Sequence, residues 1–283
     1  MINFNGELVH SSNQNIEDNR GFLFGDAVFE TLKVINNNVL FLEEHYFRLM
    51  ASMRVLRMEI PMNFTMEFLE EQILKTIQTS NSTSDSFRVR ITFFRDSEGL
   101  YLPENNKKTK FIIQSKVLDN TFYENKFNSY EVEIYKDFMV TKQLLSTLKT
   151  TNKLINITAA IFAEENGYQN CLLVNNEKNI IEALNANIFV VNGNHIKTPP
   201  VEDGCVNGII RKQIIEIITN SGKFEIEEKS ISPFELQKAD EIFLTNIIIG
   251  IQSITKFRKK DYQNDIANQL LAELNSKINL LNS

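Results

Sequence analysis

Lys149 lies in Leu148-Lys149-Thr150-Thr151-Asn152, and 33 positions later (182 − 149) Glu182 opens the run Glu-Ala-Leu-Asn-Ala-Asn-Ile-Phe. Thr198-Pro199-Pro200 follows, and then Val206-Asn207-Gly208-Ile209-Ile210-Arg211. Each feature suits one part of a single chemistry. A lysine whose pKa is lowered by burial or nearby charge is an imine-forming amine, and it can later move a proton at the adjacent carbon. A carboxylate pairs with a protonated ring nitrogen. Gly208 lets the backbone approach a ligand, and the first N–H groups of the helix after it, those of Ile209 and Ile210, point at an anion such as a phosphate. Lys142 and Lys153 lie close to Lys149, and residue type alone does not choose among the three.

Further candidates lie outside this stretch. Arg48, in His45-Tyr46-Phe47-Arg48-Leu49, carries a guanidinium able to meet a phosphate with two N–H groups. Thr245-Asn246-Ile247 lies at the end of an apolar run, and Thr245 and Asn246 are its only polar side chains before Ile247, Ile248 and Ile249. Arg88 and Arg90 share one strand face with Thr92, where they could meet a substrate carboxylate or simply keep a surface strand soluble.

The elements that position these groups read as a mixture of short strands and amphipathic helices, an α/β or α+β pattern rather than a helical bundle or a sandwich. Tyr46, Leu49, Met50, Met53 and Leu56 recur at helical spacing and predict a helix over 43–58. A second helix is predicted over 66–77, capped by Thr65. Phe87, Val89, Ile91 and Phe93 alternate with polar residues as in a strand with one buried face, and 110–114 reads as another strand. The chain turns polar between Ser115 and Glu131, so residues 119–130 are expected to link a smaller domain, 1–118, to a larger one, 131–283. In the second, helices are predicted over 155–165 and 209–219 and strands over 171–174, 187–191 and 241–245.

The whole chain narrows the field of functions. Its 283 residues, 42% hydrophobic and 23% charged, are ordinary for a globular protein with a sizeable core. The net charge of −6 is scattered, and Arg258-Lys259-Lys260 is the densest cationic run, so no nucleic-acid partner is expected. Cys171 and Cys205 have no paired spacing, and His10, His45 and His195 are dispersed, so neither a disulfide framework nor a metal site is expected. No charged-then-apolar leader opens the chain and no apolar run is long enough to span a bilayer, which points to the cytoplasm and to no membrane partner.

Taken together, the motifs resemble those of the class IV aminotransferases, the fold type IV enzymes that use pyridoxal 5′-phosphate. The likeness covers nearly the whole chain. It includes Phe24-Gly25-Asp26-Ala27-Val28-Phe29-Glu30-Thr31 followed by His-x-x-Arg-Leu, Lys-x-x-Asn at Lys149, Glu-x-x-x-x-Asn-aliphatic-Phe at Glu182, and Thr198 and Gly208 in register. Leu184 stands where the family usually has a small residue, and Ile210 where many members have a threonine. The resemblance implies that Lys149 is the catalytic, imine-forming lysine. It further implies that Arg48, Glu182, Ile209, Ile210, Asn246 and Ile247 bind the cofactor, that the cofactor lies in the cleft between the two domains, and that the enzyme is a homodimer. The Val-Asn-Gly-Ile-Ile-Arg and Thr-Asn-Ile-Ile-Ile pair is most similar to 4-amino-4-deoxychorismate lyase, the branch that forms 4-aminobenzoate and pyruvate from a small amino substrate. The alternatives are a branched-chain or D-amino acid aminotransferase of the class, and a non-catalytic binding protein that keeps the fold.

Overall fold

Alternation over residues 87–93 corresponds to a strand, Ser86–Arg95, whose Phe87, Val89, Ile91 and Phe93 enter a buried core while Arg88, Arg90 and Thr92 line the opposite side. The structure is a computed structural model describing residues 1–11, 16–80, 84–105, 108–126 and 128–281. The chain divides into two compact units, one of Met1–Thr121 with Lys149–Asn152, the other of Phe122–Leu148 with Lys153–Leu281.

The first unit is built on an antiparallel sheet with strand order Glu7–Val9, Ile2–Phe4, Thr109–Val117, Ser86–Arg95, Ala27–Ile35, Asn38–Val39. The helices Leu42–Val55 and Met66–Gln78 bury Leu49, Met50 and Met53, and Leu69, Ile73 and Ile77, against Val28, Leu32, Val34, Val89 and Ile113. Truncating a fully buried member such as Ile73 to alanine costs about 2–5 kcal/mol. Thr65 caps the second helix, its hydroxyl accepting from Phe68 N–H at 3.2 Å. The first helix ends at Val55, short of the predicted 58, because Arg57 adopts a left-handed φ of 54° and turns the chain out of the helix. The strand Ala27–Ile35 carries no polar alternation, since eight of its nine positions are buried. Periodicity therefore does not mark it.

The second unit holds two five-stranded sheets. One has the order Glu225–Glu228, His195–Thr198, Asn187–Asn192, Glu241–Asn246, Gly250–Ile254; the other Lys260–Asp261, Lys256–Phe257, Glu131–Ile134, Asn170–Val174, Ile180–Ala183. They share a core that includes Val132, Leu172, Ile180, Ile188, Val190, Ile242 and Leu244. Helices Leu154–Glu165 and Ile209–Ser221 lie within one or two residues of their predicted bounds, while Asp265–Leu281, which buries Leu270, Leu274 and Ile278, was not read from the sequence. Tyr123 is buried in this unit and donates its hydroxyl proton to the Ile247 carbonyl. No helix among the described residues is long and apolar enough to cross a membrane.

Candidate active site

Backbone pairing, not a helix, holds Lys149. Phe29 N–H donates to the Lys149 carbonyl at 2.8 Å and Thr151 N–H to the Ala27 carbonyl at 3.0 Å, so residues 149–151 run antiparallel beside the start of the Ala27–Ile35 strand. The Lys149 ammonium then sits 4.6 Å from the centroid of the Phe29 ring. Arg90 reaches the same ring, with its guanidinium carbon 3.8 Å from the centroid, so the two cations are no further apart than those two distances combined. Of the three lysines that residue type left open, Lys142 is engaged elsewhere, pairing with Glu177 at 2.9 Å and Asp203 at 3.2 Å.

Arg48, predicted to bind a phosphate, has two of its N–H groups on a partner the sequence reading did not name. Its Nε donates to Glu30 Oε1 at 2.7 Å and its Nη2 to Oε2 at 2.6 Å. His45 Nδ1 lies 2.8 Å from the same Oε2. Burial would raise the Glu30 carboxyl, but the Arg48 guanidinium and the His45 hydrogen bond outweigh it and hold the group well below the usual carboxylate range. Burial lowers His45, opposed by Glu30 and reinforced by Arg48 and Lys149, so the ring is neutral at pH 7. The signal that could have revealed this group is Glu30 itself, a charge within an otherwise apolar run at the strand's start.

Within the second unit, Glu182 is buried on the strand Ile180–Ala183, and its Oε2 accepts from Val206 N–H at 2.9 Å. Asn187 Nδ2 donates to the Val206 carbonyl at 2.7 Å. Cys205, beside this loop, is pushed up to about 12 by burial and by Glu182, which keeps it a neutral thiol. Gly208 is the N-cap of Ile209–Ser221 and supplies no side-chain cap. A Cβ at 208 would run into Asn187 Oδ1, so a side chain there would force the Asn187 amide to move. Asn187 is also the strand partner of Thr245, whose buried hydroxyl has no hydrogen-bond partner among the described residues. Asn246 shapes its own loop: Oδ1 accepts from Ile248 N–H at 2.9 Å and Ile249 N–H at 3.0 Å, and Nδ2 donates to the Asn185 carbonyl at 3.1 Å. Leu184, at the atypical position, is partly buried against the cluster containing Cys171, Ile181 and Cys205.

These residues fit a phosphate-bearing pyridine cofactor. A helix start without a side-chain cap, a glycine and an orphaned buried hydroxyl are features suited to an anion, and a buried carboxylate already oriented by one N–H suits a protonated ring nitrogen.

Arg88 and Arg90 both occupy the face of the first unit's sheet opposite the helices. Lys33 stands directly across from Arg88, and Arg88 across from Lys116, so three cations form one row. Lys33 is buried, which lowers its amine to about 8, and burial with the neighbouring Arg88 lowers Arg90. Like charges opposed across strands repel, and this row concentrates positive charge on one face of the sheet.

The sequence pattern of the family described as Amino-transferase class IV matches residues 27–257. A protein of Methanocaldococcus jannaschii, provisionally named a branched-chain-amino-acid aminotransferase, is 26% identical over 98% of this chain and 94% of its own. A D-alanine aminotransferase of Staphylococcus epidermidis is 22% identical over 92% of this chain and 89% of its own. Among solved structures, a Legionella pneumophila protein provisionally named 4-amino-4-deoxychorismate lyase superposes with a TM-score of 0.82 at 26% identity, covering 94% of this chain and 96% of that one.

Proposed function

The chain belongs to the class IV aminotransferases, enzymes that use pyridoxal 5′-phosphate, and from that premise we propose that it is a lyase acting on an aminodeoxychorismate-like substrate to give 4-aminobenzoate and pyruvate. When bound, the cofactor supplies an aldehyde that reacts with amines and a ring that takes up electrons. Lys149 supplies the protein's amine and is the base that would take the proton from the amine-bearing carbon of the substrate. Glu182, held by Val206 N–H, would keep negative charge against the ring nitrogen. Ile209 and Ile210 would offer backbone N–H groups to the phosphate and Thr245 a hydroxyl, with Arg48, Asn246 and Ile247 completing the cofactor's contacts.

The observation that carries the choice of substrate is the cationic sheet face. Arg90 shares the Phe29 ring with the reactive lysine, and Arg88, Lys33 and Lys116 follow in the next row along the strands. A chorismate-derived amine carries two carboxylates, which this face suits; a branched-chain amino acid carries one carboxylate and an apolar side chain, so in amino transfer only the dicarboxylate acceptor 2-oxoglutarate would match the face. Arg88 and Arg90 are assigned to those carboxylates.

The second reading, amino transfer, is favoured by the names of the sequence relatives. It shares every step up to proton removal and differs in where the proton returns. Measuring pyruvate release from aminodeoxychorismate beside amino transfer to 2-oxoglutarate separates the two, and transfer without pyruvate would reject the lyase. We assign the enzyme to the cytoplasm as a homodimer. Its buried, free Cys171 and Cys205 suit a reducing compartment, and the exposed Leu154, Ile157 and Ile161 stripe of the Leu154–Glu165 helix suits burial against a second copy.

A further inference from the structure

Asn187 touches both halves of the second unit's contribution. It is 5% exposed at the first position of the strand Asn187–Asn192. Its Nδ2 holds the Val206 carbonyl at 2.7 Å, while the N–H of the same Val206 holds Glu182 Oε2 at 2.9 Å. Its Oδ1 lies where a Cβ on Gly208 would stand, against the residue that opens the Ile209–Ser221 helix. Across the strands it faces Thr245, the residue with the orphaned hydroxyl. One amide therefore meets the loop that orients the buried carboxylate, the glycine that starts the anion-binding helix, and the strand that presents the hydroxyl.

We infer that Asn187 is a positioning residue that sets the spacing between the charge partner of the cofactor's ring nitrogen and the phosphate-binding helix start. The inference rests on the cofactor roles assigned above to Glu182 and to Ile209 and Ile210. Asn187 acts here through its protein neighbours, Val206 and Gly208. It holds the Val206 carbonyl, whose own N–H holds the Glu182 carboxylate, while its Oδ1 fills the place a side chain at 208 would take. A glycine that must pack on an amide oxygen and an amide that must hold Val206 are parts of one constraint, so changes at 187 and 208 must be coupled.

The test uses full-length protein with bound cofactor removed and added back. Wild type, Asn187→Ala, Asn187→Asp, Gly208→Ala and the Asn187→Ala/Gly208→Ala double variant are titrated with pyridoxal 5′-phosphate and, separately, with pyridoxal, which lacks the phosphate. The visible absorbance of each complex is then followed against pH, and melting temperatures report folding. Asn187→Ala is expected to weaken pyridoxal phosphate binding by about tenfold, the worth of one lost buried hydrogen bond, and to move the pH midpoint of the absorbance. Asn187→Asp, the same size, replaces the donor to Val206 with an acceptor, so the midpoint is expected to move again, with the melting temperature reporting whether the fold is kept. Gly208→Ala is expected to weaken the phosphate-bearing cofactor more than pyridoxal, and removing the Asn187 side chain in that background is expected to restore part of the loss. Variants that lower only the melting temperature, with an unmoved pH midpoint and losses that simply add, would overturn the inference and leave Asn187 an ordinary buried amide. A wild type that takes up no pyridoxal phosphate in a Lys149-dependent way would instead overturn the proposed function, and this inference with it.

Discussion

Glu30 and Arg48 face one another with both carboxylate oxygens engaged, Nε to Oε1 at 2.7 Å and Nη2 to Oε2 at 2.6 Å, and His45 shares the second oxygen. Removing one partner of such a buried pair leaves an uncompensated charge, so Glu30→Gln is expected to destabilise the protein by about 3 kcal/mol at pH 7. The folded-state pKa of Glu30 is depressed, so its stabilisation is fully present above the unfolded value near 4.5 and is lost as pH falls below it. Urea unfolding at pH 7 and at pH 4 checks this, because the gap between wild type and variant must narrow on acidification.

At Lys33 burial disfavours the charged form. Its folded-state amine is lowered from 10.5 to about 8 by burial, so below pH 8 the folded state carries a charge it disfavours. Between pH 8 and 10.5 the unfolded chain binds more protons than the folded one, and stability from this group rises with pH. Lys33→Met is therefore expected to stabilise the ligand-free protein by roughly 2 kcal/mol at pH 7, with the gain shrinking toward pH 10. A constant gain across that range would show that the charge is not the cause. The same substitution is expected to weaken binding of a dicarboxylate substrate, a trade between stability and function.

Lys149→Ala is expected to abolish the borohydride-reducible visible band formed with pyridoxal phosphate and to reduce turnover by at least about a thousandfold. Lys153→Ala is the control. Colour and turnover that survive the first change, or vanish with the second, would move the reactive amine elsewhere.

Arg90→Ala is expected to raise KM for a dicarboxylate amino substrate by about ten- to a hundredfold, and Arg88→Ala by less, because Arg88 is the more exposed of the two. Steady-state kinetics on a dicarboxylate and on leucine compare the two readings of substrate. Equal effects on both would leave these arginines without a part in selecting the second carboxylate.

Much of this arrangement is legible in the chain itself. Local patterning located the helices Met66–Gln78, Leu154–Glu165 and Ile209–Ser221, whose apolar stripes are a matter of spacing along the sequence. It missed Ala27–Ile35, whose uniform burial erases the two-residue period, and with it Glu30. Motif order singled out Lys149, Glu182 and Gly208, and comparison with relatives supports the family that those motifs suggested.

The sequence by itself determined the inventory of reactive groups, because an amine, a carboxylate and a glycine before a helix are fixed by residue type and local spacing. Tertiary structure decided what each group meets. Only strand pairing brings Lys149 and Arg90 to one phenyl ring, only burial turns Glu30 into Arg48's counter-charge, and only packing sets Asn187 between Val206 and Gly208. Those partners lie from 18 to 120 positions apart along the chain, and a hydrogen bond or ring contact acts over a few ångströms of space whatever the sequence separation.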